Sequence, residues 1–343
     1  MKKLLNTLYV TTQGVYLHRE GEAVAVKRDD ETLLNLPIHT IQGIVCFGRV
    51  SMSPPLMGFC GERGVLVSFL SESGRFLARV QGGAAGNILL RRIQYRAADD
   101  PIRSAALARV FIMAKIANSR NVLRRAMREK SVNPEAVEAS SSYLARSLEH
   151  MSRCPDDSLD TLRGMEGDCA REYFSVFDHM IVAQKSGIQF KGRSRRPPLD
   201  EVNALLSFIY TLLVHDVEAA LEGVGLDPYC GFLHRDRPGR PSLALDMMEE
   251  LRPVLADRLV LSLINRQQLS KSDFKRTESG AVVMEDDARK TVLTAWQKRK
   301  QEEMQHPFLE ENAALGLFPH LQAMLLARHL RGDLDAYPAM IWR

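Results

Sequence analysis

The first quarter of the chain carries its apolar and β-branched residues in short bursts. Val24-Ala25-Val26, Ile41 to Phe47 and Val65 to Leu70 are separated by turn signals at Gly21, Asp29-Asp30 and Gly61 to Gly64. Bursts of that length, with turns every ~8–12 residues, predict short strands and a small all-β domain. The stretch Ser53-Pro54-Pro55-Leu56-Met57-Gly58-Phe59 interrupts them and predicts one helical turn that crosses between sheets. The opening MKKLLNTLYVTTQG has two lysines, but Asn6, Thr7, Thr11 and Thr12 break its apolar stretch. It reads as a first strand, not as a secretory signal. At Gln81-Gly82-Gly83-Ala84-Ala85-Gly86, clustered glycines resist both helix and strand and mark a linker. The lysine and hydroxyl of a phosphate-cradling G-x-x-x-x-G-K-[ST] loop are missing there.

From about residue 88 the apolar positions recur at helical spacing. Ile102 to Arg128 holds Ala105-Ala106, Leu107, Val110, Phe111, Ala114, Ile116 and Ala117, a broad apolar stripe with basic residues around it. Further helices are predicted over 136–152, 168–184, 200–222, 243–267, 286–304 and 312–331. A short hairpin is predicted from Phe274 to Met284, around Ser279-Gly280. No repeat at solenoid periods is visible. The fold class is therefore α+β: an N-terminal β domain over residues 1–86, with the glycine-rich linker at its end, then a larger all-α domain over 87–343.

Composition changes this picture little. With 45% apolar and 26% charged residues the chain resembles an ordinary soluble globular protein. Its 46 basic and 42 acidic residues leave only +4, so the distribution of charge must decide whether nucleic acid is a partner. No apolar run approaches the ~20 residues that span a bilayer, so no membrane association is expected. Cys46, Cys60, Cys154, Cys169 and Cys230 are scattered, odd in number and free of C-x-x-C pairing. Neither a zinc ribbon nor a disulfide framework is indicated, and reduced thiols in a cytoplasmic protein are expected.

Three places concentrate unusual chemistry. In Gly164-Met165-Glu166-Gly167-Asp168-Cys169, Glu166 lies between glycines and near the expected start of a buried helix. Its carboxylate is unshielded there, although the helix macrodipole would favour an acid at that place anyway. In Gly231-Phe232-Leu233-His234, the histidine stands ahead of Arg235, Arg237 and Arg240, in a stretch that Pro238-Gly239 forces into a loop. Those arginines suit a phosphate backbone, although a lone histidine is more often structural. In Ser242 to Pro253, Ser242 is a good N-cap, and Asp246 and Glu249 share a helical face three residues apart. Pro253 removes the backbone hydrogen bond to the Glu249 carbonyl, which predicts a kink or helix end. The bland alternative is a solvated Glu249–Arg252 pair. Carboxylates with one imidazole suit Mn²⁺ or Mg²⁺, but spacing alone does not bring Glu166 to His234.

These motifs resemble the CRISPR-associated spacer-acquisition integrases, the Cas-one family. The matching runs are G-x-E-G-x-x-A-x-x-Y-F at 164–174, Gly231 to His234, and S-L-x-x-D-x-x-E-x-x-R-P at 242–253. Arg196-Pro197-Pro198-Leu199-Asp200 through Leu206, and Gly225-Leu226-Asp227-Pro228, match as well, all in the family's order. The N-terminal segment is similar to the type I-C branch. The resemblance implies a metal-dependent DNA endonuclease and integrase, with Glu166, His234 and Glu249 as catalytic metal ligands and Asp246 as a supporting or alternative acid. It further implies a homodimer formed through the β domain, a small adaptation partner (the Cas-two protein), and joining of 3′-hydroxyl ends of duplex DNA to the repeat array.

Basic clusters bear on DNA contact separately. Lys185, Lys191, Arg193, Arg195 and Arg196 lie in a segment without an acid between Asp178 and Asp200; Arg120, Arg124, Arg125 and Arg128 form a second cluster, and Lys298-Arg299-Lys300 a third. Each is either a phosphate-contacting surface or a solvated face. Two rival functions remain. His215-Asp216 with His179 suggests an HD-type nucleotide phosphohydrolase, although its apolar neighbours favour a core histidine. The other rival is a non-catalytic DNA-binding scaffold, which would gain nothing from clustered buried acids.

Overall fold

The computed structural model describes residues 7–29, 31–41, 43–72, 76–80, 82, 88–129, 132–154, 158–184 and 187–342. The chain divides into two compact units, Met1–Ala85 and Gly86–Arg343. Apart from Gly82, the glycine-rich linker at 81–86 lies outside the described residues, as does Lys185.

The first unit holds strands β1 (Thr7–Val10), β2 (Val15–Glu20), β3 (Ala23–Arg28), β4 (Glu31–Pro37), β5 (Gly43–Phe47) and β6 (Val50–Met52), helix α1 (Pro54–Glu62), then β7 (Leu66–Leu70) and β8 (Phe76–Val80). They form two four-stranded sheets, ordered β1-β5-β7-β8 and β4-β3-β2-β6. Alternation along β2 buries Val15 and Leu17 and exposes Tyr16, so one face is committed to the core. Val10, Leu17, Val24, Ile44, Leu56, Phe59 and Val67 meet in that core. The predicted crossing turn is a nine-residue helix between β6 of one sheet and β7 of the other. Ser53 starts it by accepting from Leu56 N–H.

The second unit is helical: α2 (Ile88–Asp99), α3 (Pro101–Arg128), α4 (Pro134–Arg153), α5 (Leu159–Ser175), α6 (Glu201–Val224), α7 (Ser242–Leu251) and α8 (Arg258–Asn265) come first. The hairpin β9 (Phe274–Arg276) and β10 (Val282–Met284) follows where the sequence predicts it, then α9 (Asp286–Gln301), β11 (Glu303–Gln305), β12 (Asn312–Ala314) and α10 (Phe318–Arg331). The α+β class and the β-then-α order hold.

Several boundaries differ from expectation. Helix α5 begins nine residues before the predicted 168, because Ser158 caps it through Thr161 N–H. The predicted helix over 312–331 starts at Phe318, since Asn312–Ala314 pair with β11 instead. Pro253 does not end the helix: α7 passes through a π-helical turn at Arg252–Asp257 into α8, which absorbs the missing donor. Among the described residues one helix, α6, is long and apolar enough to cross a bilayer by composition, contrary to the reading of the sequence. It is a core helix here, packed on α7 and α10 with 61% of its apolar window buried.

Candidate active site

Three helices bring one charged cluster together. The 28-residue α3, capped by Asp100 and started by Pro101, packs against both α5 and α7. Lys115 on α3 faces Glu166 on α5 and Glu249 on α7. Its Nζ donates to Glu166 Oε1 and lies 2.7 Å from Glu249 Oε2. Arg252 Nη1 lies 2.7 Å from the other Glu249 oxygen. Two acids thus balance two bases in a nearly closed space, where Glu249 is 3% exposed and Lys115 and Arg252 each 12%. Glu166, at 26%, is the member that reaches solvent most. Burial pushes the Glu249 carboxyl up, but Arg252, Lys115 and then His234 outweigh it and hold it at about 2. Burial pulls the Lys115 ammonium down, and Glu249 and Glu166 reverse that and raise it. Glu249, Lys115 and Arg252 are therefore charged at neutral pH. Glu249 Oε2 meets the Lys115 ammonium as a close ion pair, without a well-aligned hydrogen bond.

His234 arrives from the loop between α6 and α7. Asp246, fully buried on α7, accepts the backbone N–H groups of Phe232 (2.6 Å), Leu233 (2.9 Å) and His234 (2.9 Å). The same carboxylate stands 2.5 Å from His234 Nδ1. With Nδ1 donating to a carboxylate, Nε2 is left as the lone-pair donor, the usual arrangement of a ligating imidazole. Only glycine fits at 231, because a Cβ there would stand 2.7 Å from Asp246 Oδ2 and 2.8 Å from Ser242. Arg163 Nε holds the loop from α5 through the Leu233 carbonyl. Asp246, expected beside Glu249, is therefore turned to the His234 loop and fixes the ring.

Other details depart from the sequence reading. Glu166 is the eighth residue of α5, not a residue of its first turn, so the macrodipole gives no account of it. Gly164 and Gly167 lie inside the helix, a Cβ on either would meet nothing within 4 Å, and Gly167 lines the same cavity as Glu166. Ser242 does not cap α7; its hydroxyl faces the Arg235 carbonyl at 3.4 Å. The Glu249–Arg252 pair exists but is buried rather than solvated. Lys115 was not singled out by sequence. Its signal is a lone lysine within the apolar run Phe111 to Ala117.

A cavity of about 410 Å³ opens beside the cluster, lined among others by Lys115, Glu166, Arg193, Arg195, Tyr210 and Arg252. At its base Tyr210 (2.6 Å) and Tyr173 (3.1 Å) donate to Asp257, whose carboxyl burial pushes up to about 6. Arg193, expected on phosphates, points inward instead, donating to Asn203 Oδ1 and the Ser194 carbonyl, each at 2.7 Å. Lys191, Arg195 and Arg196 are exposed, as are Arg235 and Arg237. Arg235 pairs with Asp160 at 3.0 Å. Burial and then Arg237 pull the Arg240 guanidinium down, with smaller contributions from Arg163 and Arg195. Basic groups from three segments thus crowd one another around the His234 loop. The Lys298-Arg299-Lys300 cluster is neither surface nor interface in two of its members. Arg299 donates to the Val254 carbonyl at 2.9 Å and Lys300 to Asp216 at 2.8 Å, both buried. That ion pair also occupies the aspartate of the His215-Asp216 dipeptide.

Among the described residues no three carboxylate, imidazole or thiol groups stand together as a finished metal cage. What is present is a carboxylate pair already holding a cation, with an oriented imidazole near enough to act on Glu249. The donor chemistry fits a hard divalent ion.

Known proteins share the sequence and the fold of this chain. The family model "CRISPR associated protein Cas1" matches residues 8–298. A CRISPR-associated endonuclease Cas1 of Chlorobaculum tepidum is 55% identical over the whole of both chains, and one of Rhodospirillum rubrum is 53% identical, again over the whole of both. Among solved structures, a casposase bound to integration product superposes with a TM-score of 0.85 at 23% identity, covering 98% of this chain and 94% of that one. A Cas6-RT-Cas1–Cas2 complex gives a TM-score of 0.82 at 22% identity, covering all of this chain and 36% of its counterpart. This chain belongs to the CRISPR-associated Cas1 family of endonucleases.

Proposed function

We propose that this protein joins 3′-hydroxyl ends of short duplex DNA to a CRISPR repeat, using Glu166, His234 and Glu249. The observation that carries the reading is convergence: two carboxylates from separate helices share one cation, beside an imidazole locked by Asp246. In the transfer, the 3′-oxygen bonds to a repeat phosphorus, the bond to the leaving 3′-oxygen breaks, and the proton passes from the attacking to the leaving oxygen. Mn²⁺ or Mg²⁺ held by Glu166, His234 and Glu249 would supply charge stabilisation at the phosphodiester and acidify the attacking hydroxyl. Asp246 keeps His234 in one tautomer and one orientation. Exposed Lys191, Arg195, Arg196, Arg235 and Arg237, with Arg240, give the DNA backbone its counter-charge.

The β unit supplies the homodimer contact in this reading. Its strand β4 is a sheet edge, exposed along most of its length, with Leu33 and Leu34 facing solvent. The small Cas-two partner would join two such dimers. Five free thiols suit a reducing cytoplasm.

The test is strand transfer from a 3′-hydroxyl duplex into a supercoiled repeat plasmid, with the Cas-two partner and Mn²⁺ or Mg²⁺. Glu166→Ala, His234→Ala and Glu249→Ala should each abolish the product. Undiminished transfer by all three would establish the scaffold reading instead. Reversing Arg195 and Arg196 to Glu should flatten the dependence of DNA affinity on salt, by about two phosphate contacts; an unchanged slope removes that segment from the interface.

A further inference from the structure

We infer that Lys115 is a built-in counter-ion that competes with the divalent cation for the Glu166–Glu249 pair, so that the ammonium must leave the pair when the ion binds. The inference rests on the metal reading above and adds to it a residue and a regulation. Three observations carry it. First, the Lys115 ammonium bridges one oxygen of each carboxylate, which is where a cation shared by the pair has to stand. Second, Glu166 and Glu249 are already neutralised by Lys115 and Arg252, so a divalent ion added on top would leave a buried cluster with two surplus positive charges. Third, Lys115 has a place to go: it lines the cavity of about 410 Å³ that opens beside the pair, and its four-carbon stem is flexible. Arg252 has no such freedom, being stacked over the Tyr210 ring at 4.9 Å.

The physical logic is that of a loaded placeholder. Two carboxylates closing on each other from α5 and α7 would repel in the absence of a cation. The ammonium keeps them together before the ion arrives, at the cost of opposing its binding. Linkage makes the opposition reciprocal, so removing the ammonium must strengthen ion binding and weaken the ion-free protein.

The experiment titrates the full chain, without DNA, with Mn²⁺ alone, by calorimetry, and melts the same samples in EDTA and in Mn²⁺. Lys115→Met keeps the length and removes the charge. It should bind Mn²⁺ about tenfold more tightly than the wild type, melt several degrees lower in EDTA, and recover in Mn²⁺. Lys115→Arg keeps the charge and grips both carboxylates with a planar fork, so it should bind Mn²⁺ more weakly than wild type; this arm serves if the methionine variant does not fold without metal. Equal or weaker Mn²⁺ binding by Lys115→Met, or binding by Lys115→Arg no weaker than wild type, would overturn the inference. Glu166→Gln separates it from its foundation. Mn²⁺ binding lost in Glu166→Gln but untouched by Lys115 leaves the metal site standing and removes the counter-ion; the absence of Glu166-dependent binding in every variant overturns both.

Discussion

Helix α7 carries two neighbouring carboxylates that are equally buried and oppositely treated. Glu249 faces Lys115 and Arg252 and is held at about 2. Glu250, one residue on, points to the other side, where it accepts from Tyr337 Oη (2.6 Å), Met340 N–H (2.8 Å) and Gln322 Nε2 (3.1 Å). Burial there outweighs the three donors and pushes the carboxyl up to about 7. Exposure is 3% for one and 0% for the other, so depth does not separate them. The partners do. Full positive charges stabilise an anion in a low-dielectric place, whereas neutral donors only soften the penalty for burying it. One face of α7 is built to keep a charge and exchange its counter-ion. The other anchors the segment 337–342, which Asn118 on α3 ties to the Glu250 carbonyl (2.7 Å) and the Met340 carbonyl (2.8 Å).

The comparison breaks most severely at Glu249. Glu249→Gln leaves Arg252 buried without its anion and Lys115 with one carboxylate instead of two. Breaking a buried pair costs about 3–5 kcal/mol, and the surviving Lys115–Glu166 contact puts the expected loss near the lower end. Urea denaturation at pH 7 measures it, and a loss below ~1 kcal/mol would show that the cluster is solvated in solution. Next comes Asp246→Asn, which keeps the shape but no longer fixes the proton on His234 Nδ1. Strand transfer should fall about 10–100-fold, as outer partners of ligating histidines carry effects of that size. The melting temperature should fall as well, because the amide NH2 faces N–H donors where a carboxylate oxygen accepted them. Wild-type transfer would mean that the loop backbone alone orients the ring.

The opposite face sharpens the contrast through Tyr337→Phe. The hydroxyl donates to Glu250 and receives Gln322 Nε2 at 2.8 Å, so its removal affects two buried partners. A loss of about 2 kcal/mol is expected, with strand transfer at permissive temperature close to wild type. A collapse of transfer without loss of stability would show that the two faces are not independent.

How much of this was legible in the sequence depends on how far each partner lies along the chain. Apolar bursts between turn signals mark β3, β5 and β7, and the apolar stripe of α3 marks that helix within a residue at its start. Helix α5 starts at Leu159, ahead of the predicted 168, and takes Gly164 and Gly167 into its interior. The run Lys298-Arg299-Lys300 looks like surface because its partners, Asp216 and the Val254 carbonyl, come from distant helices. Lys115 was passed over for the same reason: nothing within a helical turn of it shows that two acids will close on it. Glu166, His234 and Glu249 were assigned through motif resemblance; their spacing alone would have left them unconnected.

The smallest expected effect is a slope rather than a loss, and it belongs to Glu250. In the unfolded chain this carboxyl titrates near 4.5, and in the folded protein at about 7. Between those values the native state keeps a proton that the unfolded state has released, so raising the pH through this window favours unfolding. Glu249 works in the other direction: its stabilisation is complete above about 4.5 and is lost as the pH falls toward 2. The two acids therefore give opposite slopes on either side of about pH 4.5. Glu250→Gln should remove the upper slope alone. At pH 5 the variant should lie within ~1 kcal/mol of wild type, and its relative stability should rise up to about pH 7 and then level off. Urea midpoints at half-unit steps of pH measure this, and parallel curves for variant and wild type from pH 5 to 8 would place the titrating proton elsewhere, with Asp257 at about 6 the next group to substitute.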